Sequence, residues 1–197
     1  MDEKDQLILK MRREGKRISH NSIYDDYTMI GNERYVFDWC TVVHRRIHIL
    51  LPKEFIDMPL EIAKLRYPSE DRPKIIKSSL DSVVNFAFLY GQPLNKEEDV
   101  VLASRIYAAA IHQINPSNEF QKSGTVYRNE KDGRLTSWYE YLSPAYGERV
   151  YNRHGFLSVE GKLLQVVFNC PEGRAEDWKK VLLDIMVSAY SELERQF

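Results

Sequence analysis

Hydrophobic positions along this chain change their period several times, and each change marks an element. From Asp5 to Glu14, Leu7, Ile8 and Met11 fall at helical spacing among good helix formers, and Gly15 stops the run. That stripe is narrow, which suits an arm or a segment docked on a partner. Ile18 to Met29 is polar and aromatic without a period. Val36, Phe37, Trp39, Val42 and Val43 fit a strand, and part of the same stretch also fits a helix. His44 to Leu51 alternates, with Arg45, Ile47, Ile49 and Leu51 on one side, and Pro52 ends it. The alternation predicts a strand here. Asp57, with Pro59 in the favoured first-turn position, starts a short helix through Leu65.

Lys74 to Ser79 and Ser82 to Tyr90 read as two adjacent strands. In the second, Val84, Phe86 and Phe88 alternate with Val83, Asn85, Ala87 and Leu89. Asn95, with Glu98 three residues on, resembles a capping box. The helix it opens carries Val100, Ala103, Ile106, Tyr107, Ala110 and Ile114 at helical spacing and ends at Pro116. The second half reads as a meander. Thr125–Arg128 and Leu135–Leu142 flank Asp132-Gly133, while Val150–Val159 and Lys162–Phe168 flank Glu160-Gly161, both favoured two-residue hairpin turns. A closing helix from Ala175 to Glu194 shows one stripe of Trp178, Val181, Leu182, Ile185, Met186, Ala189, Tyr190 and Leu193, which is core packing in character.

These elements add up to an α+β chain, an α/β/α sandwich with a mostly antiparallel sheet flanked by helices. No repeat or Gly/Ser-rich linker divides it. Residues 1–34 are expected to form an N-terminal extension or arm, and residues 35–197 the sandwich domain. With 197 residues, 43% hydrophobic and 29% charged, the composition is that of one ordinary globular domain.

A net charge of −1 gives no global attraction to nucleic acid or to an anionic membrane. The start, Met1-Asp2-Glu3-Lys4-Asp5, lacks the basic and apolar regions of a secretory signal. No apolar run approaches the roughly 20 residues needed to span a bilayer. Two cysteines, Cys40 and Cys170, are too few for a disulfide framework and read as buried thiols near strand ends. Asn115-Pro116-Ser117 has proline in the forbidden position of a glycosylation site. A cytoplasmic protein is the expectation.

The usual catalytic signatures do not occur. The nine glycines stand singly, with neither a dinucleotide fingerprint nor a P-loop, and there is no G-x-S-x-G elbow or C-x-x-C pair. His44 and His48 are the candidate metal pair. On a strand, four residues separate them by roughly 13 Å, at about 3.3 Å per residue. Zinc ligands each sit about 2 Å from the ion, so such a pair cannot share one. His44, Arg46 and His48 on one strand face would instead form a small basic stripe for an acidic partner surface. Cys170 with His154 or His112 could in principle make a thiol and base, but the local sequence favours a structural thiol. Glu140, between Tyr139 and Tyr141, could be a tuned carboxylate; facing solvent or pairing with Arg149 is the plainer expectation.

Aromatics make up 12% of the chain, and Tyr139, Tyr141, Tyr146 and Tyr151 cluster in the meander. Exposed, they would suit a protein interface; packed, they would fill sheet edges. The candidate partner-binding residues are therefore Tyr139, Tyr141, Tyr146 and Tyr151 with His44, Arg46 and His48.

Ile47-His48-Ile49-Leu50-Leu51-Pro52-Lys53-Glu54-Phe55 resembles the strand-to-proline entry of the PsbP/DcrB-like α/β sandwich proteins. Gly161 to Cys170, followed by a helix containing Ile185-Met186-Val187-Ser188, is similar to the end of such domains. The resemblance covers about Arg45 to Leu193, while the segment before Tyr35 is longer than the minimal domain has. The group includes extrinsic subunits of photosystem II, a eukaryotic Ran-binding protein and bacterial adaptors linked to secretion. It implies action mainly by binding other proteins, with no shared catalytic set, and the chain's own motifs point to no cofactor.

The expected function is a non-enzymatic adaptor or accessory module that binds another protein. The alternative is a small-ligand binder or unfamiliar enzyme with a cleft near Glu140 and His154, which requires those side chains to converge. A third reading, a self-associating structural subunit, would be excluded by a monomeric mass.

Overall fold

A computed structural model describes residues 22–193. The expected helix over Asp5 to Glu14 lies outside the described residues, as does most of the expected arm. Residues 22–34 belong to the domain itself. Ile23, Thr28 and Ile30 are buried, the two isoleucines in the main core, and β1 (Thr28–Ile30) pairs with β2 (Glu33–Tyr35) as a hairpin.

The chain continues through β3 (Phe37–Val42), the four-residue turn α1 (Val43–Arg46) and β4 (Ile47–Pro52). The expected strand from His44 thus begins only at Ile47. Residues 43–46 close a hairpin, with Val42 paired to Ile47 and Val43 in the left-handed region at φ +50°. β5 (Ile56–Asp57), α2 (Leu60–Arg66), β6 (Ile75–Ser78) and β7 (Asn85–Pro93) follow, and β6 and β7 are adjacent as the pattern predicts. α3 (Asp99–Ile114) starts later than a capping box at Asn95 would place it. The Asp99 carboxylate accepts hydrogen bonds from the amides of Asn95 and Lys96, at 2.9 and 3.2 Å, so the acid inside the first turn holds the incoming chain.

β8 (Glu119–Arg128), β9 (Leu135–Ser143), β10 (Val150–Val159) and β11 (Lys162–Pro171) form the meander. Glu160 and Gly161, at φ +53° and +66°, make the expected tight turn. Asp132-Gly133 does not. The Asn129 amide donates to the Arg134 carbonyl, and a longer loop lies between them. That loop aims Arg134, gripped by Asp132 at 2.8 Å, at the carbonyls of Val187 and Ala189. A cation there satisfies the free carbonyls at a helix C-terminus. α4 (Ala175–Val187) therefore stops seven residues short of the expected Glu194, and β12 (Tyr190–Ser191) joins the edge of β4.

Seven strands form the central sheet in the order β5-β6-β7-β11-β10-β9-β8, and a second sheet has the order β12-β4-β3. α2 and α3 cover one face of the large sheet. α4, the three-stranded sheet and the β1–β2 hairpin share the main core on the other face. Trp178 of α4 is the centre of that core, 5.4 Å from Phe168 and 6.0 Å from Phe86. An indole so placed contributes on the order of 3–5 kcal/mol relative to alanine. α4 also crosses Gly155 closely: a β-carbon added there would lie 2.0 Å from the Met186 sulfur. No helix among the described residues is long and apolar enough to cross a membrane.

Candidate functional site

Alternation along β9 and β10 sends neighbouring side chains to opposite layers. Glu140, Tyr151 and Arg153 point to the α4 side. The strand register sets Arg153 directly opposite Glu140, and the two form a buried ion pair at 2.7 Å. Trp138 Nε1 donates to Glu140 at 3.0 Å, Arg153 Nε donates to the Tyr151 hydroxyl at 3.1 Å, and Lys179 Nζ lies 3.8 Å from the second Glu140 oxygen. Glu140 therefore does not pair with Arg149, whose place outside the paired stretch gives it Glu119 and Glu172 instead.

Tyr139, Tyr141 and His154 point to the α3 side. The Tyr141 hydroxyl is 3.2 Å from His154 Nε2, and Gln165 Nε2 is 3.0 Å from His154 Nδ1. Tyr139 stacks on the imidazole with ring centroids 4.9 Å apart. Burial lowers the His154 pKa to about 3 and raises that of Tyr141 to about 12. Glu140 and His154 consequently occupy opposite faces of the sheet, and the cleft that would unite them does not form.

The expected tyrosine surface also fails. Tyr139, Tyr141 and Tyr151 are buried because both faces of the meander are covered by helices. Only Tyr146, in the β9–β10 loop, is exposed, away from the other three. Cys170 faces the main core, where burial pushes its thiol up to about 12, while His154 lies on the other face. The pair cannot act as nucleophile and base.

The basic stripe divides as well. The backbone of His44 belongs to the turn α1, and its side chain is outside the described residues. Arg46 ends that turn and is exposed. His48 lies on β4, with Nε2 3.2 Å from Glu192 and Nδ1 3.3 Å from the Thr41 hydroxyl. Its ring stacks on Tyr190 at 5.1 Å, and Tyr190 meets Trp39 edge-on at 5.1 Å. These three rings span all three strands of the small sheet, and Trp39 is 43% exposed. Sequence reasoning singled out only His48. In the sequence Tyr190 falls in a helical stripe, and Trp39 is one residue of a strand pattern.

A second surface feature lies between α3 and β8. This groove of about 550 Å³ is lined by Arg105, Ala108, Ala109, His112, Phe120 and Gly124.

No family model matches the chain, and no curated protein matches it. Among solved structures, the solution structure of cyanobacterial PsbP (CyanoP) from Synechocystis sp. PCC 6803 is similar, with a TM-score of 0.54 and 12% identity. That match covers 79% of this chain and 92% of the cyanobacterial one. The fold is PsbP-like. A crystal structure from Bacteroides thetaiotaomicron aligns with a TM-score of 0.47 and 10% identity, over 78% of this chain and 48% of that one. Within this PsbP-like frame, the chain carries the two polar networks, the ring array on the small sheet and the α3–β8 groove.

Proposed function

We propose that the protein is a non-enzymatic binding module that docks another protein on the three-stranded sheet. The carrying observation is the Trp39–Tyr190–His48 array. Tryptophan and tyrosine dominate interface hot spots, and rings that already hold one another in place lose little freedom on binding. Arg46, exposed where β4 begins, adds a cation that suits an acidic rim on the partner. The buried titratable groups support a binding role over catalysis. His154 is held neutral, Glu140 is held in an ion pair, and the Cys170 thiol is far from its reactive form. Two cysteines free of disulfides accord with action in the cytoplasm.

The test is capture of a stoichiometric partner by the tagged wild-type protein, followed by titration of the purified pair. Trp39→Ala should weaken the complex at least about 30-fold, the scale of a hot-spot truncation, while Tyr146→Ala should leave it unchanged. A partner that binds Trp39→Ala as tightly as wild type would sink this reading.

A further inference from the structure

The groove between α3 and β8 has the composition of a ligand site, and it lies apart from the ring array. Its volume of about 550 Å³ falls in the range of small-molecule pockets. Small residues make the space: Ala108 and Ala109 on the helix, and Gly124 on the strand. β8 departs from regular pairing twice beside the groove, between Phe120 and Lys122 and again between Lys122 and Thr125. Gly124, at φ +69°, takes a backbone conformation that residues with a β-carbon rarely adopt. The strand thus bows where the groove opens.

Phe120 gives the groove an aromatic wall. Its ring stacks on Tyr141 at 5.3 Å and lies 6.0 Å from Tyr139, both of which pack against His154. The buried rings behind it hold this surface in position before any ligand arrives. His112 meets Phe120 edge-on at 5.4 Å and adds a polar ring.

Arg105 supplies the charge. Its Nε would lie 3.9 Å from a β-carbon built on Gly124, so the guanidinium stem runs along the groove wall. Among the described residues Arg105, like Arg46 and Arg66, has no ion pair and donates no hydrogen bond, and of these three it is the one that lines the groove. No acidic side chain lines the groove. A planar, uncompensated guanidinium beside an apolar wall matches a single carboxylate attached to an apolar body.

We propose that this groove binds a small apolar carboxylate, with Arg105 as its counter-charge and Phe120, Ala108 and Ala109 against its body. One guanidinium balances one negative charge, which favours a monocarboxylate over a phosphate.

The experiment is a titration of the ¹⁵N-labelled full chain with 4-phenylbutyrate, followed through backbone amide shifts. Saturable displacement centred on Gly124 and Ala109 is expected. Arg105→Gln should weaken binding at least about tenfold, and so should replacing the probe by neutral 4-phenylbutanamide. Ala109→Leu, which fills the groove from an exposed position, should abolish the displacement with the rest of the spectrum unchanged. No saturation by about 10 mM, equal affinity for the amide, or undiminished binding to either variant overturns the proposal. Neither result bears on the Trp39 surface, so the two readings stand or fall separately.

Discussion

On the α4 side of the meander, Glu140 meets Arg153 as a full ion pair; on the α3 side, His154 meets Tyr141 and Gln165 with no charge of its own. The two networks come from alternate residues of the same two strands, yet they answer the cost of burial differently. A lone charge in a low-dielectric layer is expensive, so it must either find a partner or be given up. Glu140 finds Arg153, with Trp138 and Lys179 sharing the carboxylate. His154 gives up its proton, with one neutral partner on each ring nitrogen. The ionisable groups Glu140, Arg153 and His154 all have partners, and among these side chains the hydroxyl of Tyr139, whose ring stacks on His154, is the buried polar atom that has none.

The comparison can be broken from either side, and the ion-pair side should break hardest. Arg153→Met leaves Glu140 buried opposite an apolar chain and should cost about 3–5 kcal/mol in urea unfolding. Adding Glu140→Leu should recover most of that loss, since a matched apolar pair removes the stranded charge. If the double variant is no better than the single one, the pair is not the unit described.

The histidine side should respond to pH. His154 has a folded pKa of about 3, below its ordinary value of about 6.5, so the unfolded chain takes up a proton that the folded chain refuses. Its contribution is whole above about pH 6.5 and is lost progressively as pH falls toward 3. Between pH 7 and pH 4.5 this single group should remove about 2–3 kcal/mol of stability. His154→Phe should flatten that part of the stability profile, and an unchanged slope would exclude His154 as its source.

The smallest effect belongs to the packing between the layers. Gly155→Ala pushes a methyl group into Met186, and because a thioether chain can yield, the cost should be about 1–2 kcal/mol by thermal or urea unfolding. A neutral outcome would mean that the Met186 side chain makes room without loss.

Much of this architecture is legible in the chain because its local signals agree with the global outcome. Glu160-Gly161 is a left-handed pair between two alternating strands, and it forms the turn it promises. Two misreadings have one cause, long-range contacts that no local pattern carries. Val43-His44-Arg45-Arg46 holds no glycine, proline or asparagine, yet it reverses the chain because β3 and β4 pair on either side. The stripe of α4 runs on through Tyr190 and Leu193, but Arg134 and the pairing of β12 with β4 end the helix at Val187. The candidate site was less legible. Alternation places Tyr139 and Glu140 on opposite faces, but it cannot say whether a face meets water. In β9 both faces are covered, so the tyrosines that looked like a surface became core.

β8 also governs how the protein meets its own copies at high concentration. An open sheet edge invites a neighbouring chain to extend it, strand upon strand, toward aggregates. Here the two interruptions along β8 break the regular spacing of backbone donors and acceptors that such a ladder would need, and the opposite edge, β5, is only two residues long. The irregularities that open the groove also make the seven-stranded sheet a poor template for its own growth.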